Sequence, residues 1–336
     1  MRFKRILLLT ILCLLVAALA ISYWQQQVDK PLAIASPTLI TINEGATGHS
    51  ALAQLQNANI TVVDDFSARI WLKLVFRDQH IRAGTYELTP EMTLPLVFEK
   101  FASGREHQFS VSLIDGLTFS QWQTILNNHA HIDFDLSPDK LESLKTRWPW
   151  PPASGLQSLE GLFLADTYHF TAGTTASGLL ARAMDAMKSQ LNEQWQARQT
   201  GLPIETPYEA LILASIIEKE TAVPAERAQI AGVFVNRLRQ NMRLQTDPTV
   251  IYGIGEQYDG NITRAHLRQK TAYNTYVIKG LPPTPIAMAG RPAIKAALQP
   301  VPTEALYFVA RGDGSHQFSQ TLEQHNEAVR KYQLNQ

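Results

Sequence analysis

The chain has 336 residues, enough for one large domain or two modest ones, and 45% of them are hydrophobic, enough for a real core. Its 30 basic and 30 acidic side chains cancel to a formal charge of zero, which leaves no electrostatic case for nucleic acid as a partner. The single cysteine, Cys13, excludes a disulfide framework and a cysteine zinc site.

Arg2, Lys4 and Arg5 precede an uncharged, largely apolar run from Ile6 to Tyr23. At about 18 residues this run is near the minimum for a helix that spans a bilayer. Trp24 suits the far interface, and the basic cluster favours a cytoplasmic N-terminus. Residues 1–24 therefore read as a single-pass anchor in the inner membrane, with the bulk of the chain periplasmic. The competing reading is a cleaved signal peptide, because Ala18-Leu19-Ala20 has the form of a cleavage site. Either way the body lies outside the cytoplasm. Leu14 after Cys13 argues against a lipoprotein site.

Residues 25–37 form a short polar, Pro-containing tether. A small unit over 38–105 follows. Leu39 to Ile42 predicts a strand ending at the Asn43-Glu44-Gly45 turn. Ala51, Leu52, Leu55 and Ala58 predict a short helix. Asp64 or Asp65 can cap a second helix carrying Phe66, Ile70, Leu74 and Val75. Gly84 to Leu88 returns as a strand, giving a β-α-α-β order, and Thr93 to Phe101 predicts one more helix.

The larger unit runs over 106–336. Phe109 to Ile114 predicts a strand, and Thr118 with Gln121 a capping box for a helix through Leu126. Ser137-Pro138 starts another helix. The rigid aromatic segment from Arg147 to Pro152 reads as structural cover. Glu160 and Asp166 bracket the apolar Leu162-Phe163-Leu164, and either could serve as a second catalytic carboxylate or hold a loop through backbone amides. Thr174 or Thr175 starts an amphipathic helix with Leu180, Met184, Met187 and Leu191 on its core face.

The chain is organised around Thr206 to Tyr252. Thr206 as N-cap, Pro207 in the first turn and Glu209 as the T-x-x-E partner predict a helix start. Leu211, Ala214, Ser215, Glu218 and Ala222 share one face of that helix. Pro224 ends it, and Ile230, Val233, Phe234 and Leu238 stripe a second helix, where Gly232 would let the two helices approach closely. Glu218 is the unusual residue, because a carboxylate on an apolar face is costly to bury unpaired. One reading leaves it half exposed and paired with Arg227 or Arg237. The other makes it a desolvated acid of raised pKa, suited to general acid catalysis. Lys219 and Glu220 point elsewhere and can be solvated. Asp247, before Pro248, reads as a loop residue, either an Asx-turn or a group that binds substrate hydroxyls or orients Glu218. Ala305 to Ala310 predicts a buried strand. His316 and His325 have no third ligand at zinc spacing, so no metal site and no cofactor is expected.

The blocks ASIIEKET (214–221), AGVFVNRL (231–238), LQTDPTVIYG (244–253), YNTY (273–276), GLPPTPI (280–286), EGLFLADTY (160–168) and HQFSQTLEQHN (316–326) resemble the YceG-like family of endolytic murein transglycosylases. The similarity runs in the family's order along nearly the whole chain. There are departures: Ala165 stands where the family usually has Pro, Asp115-Gly116 where it often has Glu-Gly, and residues 287–292 lack a common Pro-Gly pair. The resemblance implies an α+β fold made of a transmembrane helix, a LysM-like β-α-α-β subdomain and a larger catalytic domain. It implies Glu218 as catalytic acid and base, with Gln245, Asp247, Tyr252, Tyr273, Asn274 and Tyr276 as substrate-binding residues. The expected substrate is peptidoglycan glycan strands, cut between N-acetylmuramic acid and N-acetylglucosamine to leave 1,6-anhydro ends. The other function class is a non-catalytic wall-binding scaffold for peptidoglycan synthases, which are candidate partners in either case.

Overall fold

A computed structural model describes residues 2–77 and 79–334. Met1, Asp78, Asn335 and Gln336, which fall within the expected anchor, small unit and catalytic domain, lie outside the described residues. The chain mixes helices and strands behind one long N-terminal apolar helix, as its sequence predicts, and divides into two compact units.

The first unit is Met1–Phe109 with Phe170–Ala172. Helix α1 (Arg2–Val28) runs 27 residues, past the apolar run into the expected tether, and Val28 and Leu32 enter the core of the unit. Strand β1 (Thr38–Ile42), helices α2 (Gly48–Asn57) and α3 (Asp65–Leu74), strand β2 (Gly84–Leu88) and helix α4 (Leu94–Ser103) follow. β1 and β2 pair antiparallel, Ile40 opposite Tyr86. Local chemistry sets these ends. The Thr47 side chain accepts the Ser50 N–H at the start of α2, and Asp64 accepts the Ser67 N–H at the start of α3. The core is aromatic: Trp71 and Phe76 stack, Phe98 meets both edge to face, and Phe98 also meets Phe101.

The second unit is Ser110–His169 with Gly173–Gln336. Strand β3 (Phe109–Leu113) pairs with β5 (Asp166–Phe170), and the short β4 (Ile132–Asp133) runs parallel to β6 (Thr174–Thr175). Between them lie α5 (Phe119–Asn127), with the expected Thr118–Gln121 box, and α6 (Pro138–Thr146), capped by Ser137. The core is helical. It is built by α7 (Ala176–Gln196), α8 (Pro207–Glu220), α9 (Arg227–Arg239) and α12 (Arg291–Leu298), with α10 (Asp247–Ile254) and the short α11 (Arg264–Arg268) at its side. The antiparallel hairpin β7 (Tyr307–Ala310) and β8 (His316–Ser319) leads to α13 (Leu322–Val329).

Several local expectations are corrected. α8 is buried on nearly all sides over Ala210–Ile217, so the single stripe was too narrow a reading, and it ends at Glu220, before Ala222. Thr206 accepts the Glu209 N–H, but Glu209 reaches the Glu205 N–H instead of its own N-cap, so the box is half formed. Asp247 opens a helix and does not sit in a loop, because Pro248 falls in the first turn, where its missing N–H costs nothing. A β-carbon on Gly232 would lie 2.5 Å from the Val301 carbonyl oxygen, so this glycine admits the 301–303 segment and not α8.

Candidate active site

The last turn of α8 carries two carboxylates. Glu218 ends the buried stretch, and only 4% of its side chain is exposed. Its Oε2 accepts the Gly290 N–H at 2.9 Å, and its Oε1 lies 3.2 Å from Arg227 Nη2. Burial pushes the carboxyl above the usual carboxylate range; the Gly290 amide opposes this, Asp115 adds to it and Arg227 opposes it, with the balance upward. Each sequence reading thus describes part of the residue: it is paired, with Arg227, and it is desolvated. Arg237, the alternative partner, lies elsewhere.

Sequence reasoning missed Asp115 and Gly290. A β-carbon on residue 290 would stand 2.8 Å from Asp115 Oδ2 and 3.3 Å from Glu218 Oε2. The φ of Gly290 is −80°, so what glycine supplies here is space and not conformation: a β-carbon would displace the two carboxylates. The turn after β3 that holds Asp115 is pinned on both sides. Gly116 N–H donates to the Met288 carbonyl and Met288 N–H to the Leu117 carbonyl, each at 2.8 Å, while Lys219 Nζ donates to the Gly116 carbonyl at 3.1 Å. The Asp115-Gly116 turn was visible in the sequence; that it meets Glu218 was not.

Glu220 corrects the expectation that it is solvated on an unrelated face. It lines a cleft of about 540 Å³ and accepts a hydrogen bond from the Thr246 hydroxyl. Burial pushes its carboxyl up to about 7; Thr246 opposes, Asp247 adds, and His316 and Arg237 oppose. Three expected ligand residues, Gln245, Asp247 and Tyr276, line this same cleft. Tyr276 Oη donates to Asp247 Oδ1 at 2.7 Å. Gln245 holds a left-handed backbone, φ 51°, unusual for a residue of its kind. It is fixed there by its N–H on the Thr275 carbonyl and by Arg237 Nη1 on its side chain. His316 is oriented by Glu226, 2.7 Å from its Nδ1.

The other expected ligand residues lie apart from the cleft. Tyr252 Oη donates to Glu160 Oε2 at 3.2 Å, Tyr273 Oη shares a hydrogen bond with Thr284, and the two rings meet edge to face. Asn274 is turned inward. Its amide nitrogen donates to the carbonyls of His266, Leu267 and Gln269, and its oxygen accepts the Tyr276 N–H, so its polar atoms hold the loop. Glu160 also accepts the Phe119 N–H, and burial raises it to about 7 against those two hydrogen bonds. Asp166 is half exposed, paired with Arg291 at 3.0 Å and lowered by that bond. Among the described residues Glu218 bonds to Arg227 and Gly290, and to neither of these carboxylates.

The YceG-like family profile matches residues 40–331. A Bacillus subtilis (strain 168) protein named endolytic murein transglycosylase is 30% identical over 317 residues, covering 90% of this chain and 87% of its own length. A Streptococcus pneumoniae protein of the same name is 30% identical over 202 residues, 58% of this chain and 35% of its own, so the chain spans about a third of that relative. Among solved structures, a YceG-like protein from Listeria monocytogenes superposes with a TM-score of 0.55 at 27% identity, covering 87% of this chain and 98% of that one. A profile match over most of the sequence and a relative that similar along nearly its whole length mean that the chain belongs to the YceG-like family.

Proposed function

We propose that this chain is an endolytic murein transglycosylase, held by one N-terminal span in the inner membrane with its body in the periplasm. The observation that carries the reading is Glu218: a carboxyl raised by burial, yet fixed by an amide and a guanidinium that can stabilise its anion. A group so placed can give up a proton and take one back. It protonates the oxygen joining C1 of N-acetylmuramic acid to N-acetylglucosamine, and the C1–O bond breaks. The carboxylate then takes the proton of the C6 hydroxyl as that oxygen bonds to C1. The products are a 1,6-anhydro end and a free N-acetylglucosamine hydroxyl, and no water is consumed. Attack by a hydroxyl already held in the same sugar has a large proximity advantage.

Gln245, Asp247 and Tyr276 bind hydroxyl and amide groups of the glycan from the cleft that holds Glu220. Tyr252, Tyr273 and Asn274 shape the loops behind it. The β1-α2-α3-β2 order of the small unit supports a LysM-like module that holds glycan, and peptidoglycan synthases are the expected partners. Turnover of purified glycan strands by the full chain in detergent tests the reading. The parent shortens strands from within, and Glu218→Gln loses about 10²–10⁴ of the rate. An active Glu218→Gln would overturn the assignment, and a parent without turnover would leave a wall-binding scaffold.

A further inference from the structure

The small unit leaves one apolar face uncovered. Val62, Phe66, Leu74 and Val75 are 52%, 74%, 70% and 55% exposed, with Ile70 half-buried among them. Phe66, Ile70 and Leu74 recur every fourth residue and form one line along α3. Arg69 and Lys73 recur at the same interval and form an exposed basic edge beside it, and Arg77 is exposed in the turn three residues past the helix end; Arg69 also pairs with Asp65. The opposite face, Ser67, Ala68, Trp71 and Leu72, is already in the core. A helix with its core face satisfied and a second face both apolar and basic has the character of a helix lying in a lipid interface.

The attachment of α1 sets the depth of this face. About 20 residues of helix cross the hydrocarbon, and the apolar run ends at Tyr23, so Trp24 falls at headgroup level, where amphipathic rings reside. Trp24 Nε1 donates to the Ser67 carbonyl at 3.2 Å, and its ring packs against the core of the small unit. Ser67 lies in the first turn of α3, next to Phe66. Val28 and Leu32 join the same core, which fixes the emerging helix to the unit.

We infer that the outward face of α3 rests on the outer surface of the membrane that α1 crosses. Phe66, Ile70, Leu74 and Val75 enter the boundary between headgroups and acyl chains, and Arg69, Lys73 and Arg77 lie among the phosphates. The inference rests on α1 being a membrane anchor. It is tested with the full chain in vesicles of phosphatidylethanolamine and phosphatidylglycerol. Cys13 is replaced by Ser, and single nitroxide labels are attached at Ala18→Cys, Phe66→Cys, Leu74→Cys and Glu44→Cys, all exposed positions. Collision with dissolved oxygen is compared with collision with a water-soluble nickel chelate. Position 18 should be deep, 66 and 74 oxygen-favoured and shielded from the chelate, and 44 fully chelate-accessible. If 18 is deep while 66 and 74 match 44, the inference fails and the anchor stands. If 18 itself meets the chelate freely, the anchor reading fails and takes the inference with it.

Discussion

Three groups around Glu218 act on one proton, and their signs can be separated by substitution. Burial and Asp115 favour the neutral acid; the Gly290 amide and Arg227 favour the anion. Asp115→Asn should therefore lower the pKa of Glu218 and move the alkaline limb of the pH–rate profile to lower pH, with the acidic side preserved. Asp115→Glu, which keeps the charge, should hold the limb nearer its original position; an unmoved limb in Asp115→Asn would show that the carboxylate does not act on Glu218. Stability follows the same balance. A raised folded pKa means that stability is complete below the unfolded pKa and is lost as pH rises through the folded one. Glu218→Gln should thus melt at or above the parent temperature near neutrality, because it removes a buried charge while its one amide oxygen still accepts from either Gly290 or Arg227. A clear drop in its melting temperature would mark a structural ion pair. Gly290→Ala would push a methyl group to within 2.8 Å of Asp115 Oδ2, so it should lose activity with its helical circular dichroism intact.

At the scale of elements, much was legible. Capping chemistry located the starts of α5 and α6 at Thr118 and Ser137 and narrowed those of α3 and α7 to two neighbouring residues each, of which Asp64 and Thr175 form the caps, because such caps act within a few residues of sequence. Tertiary approaches were not legible. Gly232 was visible as a close-contact glycine, but its partner proved to be a carbonyl 69 residues away, which no helical periodicity encodes. Gly232→Ala should destabilise the unit by about 1–3 kcal/mol, measured by thermal melting, because backbone and not a flexible side chain must give way. Glu220 failed as a reading for a related reason. A helical wheel assigns it to another face from Glu218, correctly, but the segments at Thr246 and His316 cover that face. The site around Glu218 was half legible: its own helix announced it, while Asp115 and Gly290 reach it from distant turns.

For the whole molecule, two further raised carboxyls, Glu160 and Glu220, both at about 7, tie stability to pH. Both are favoured as neutral acids, so the protein should lose stability as pH rises from the ordinary carboxylate range through 7. For the well-buried Glu160 the loss is on the order of 3 kcal/mol. Glu160→Gln should gain on the parent as pH rises through that window, and equal pH dependence of the two would refute the assignment. Topology is tested by external protease on spheroplasts, which should degrade the body if α1 is an anchor with its basic end inside; full protection would refute it.

Which oxygen attacks C1 separates a transglycosylase from a hydrolase, and Asp115 sharpens the question. In sequence no second carboxylate stood near Glu218 except Glu220. In the fold, Asp115 and Glu218 converge on Gly290, and a paired carboxylate is what a hydrolase uses to bring in water. The decisive experiment is digestion of purified glycan strands in water enriched in heavy oxygen, with the new ends weighed by mass spectrometry. The new ends should be 1,6-anhydro and carry no heavy oxygen, because the C6 hydroxyl supplies the attacking atom. Reducing ends carrying the heavy label would contradict it and show that water, and not the sugar, is the nucleophile.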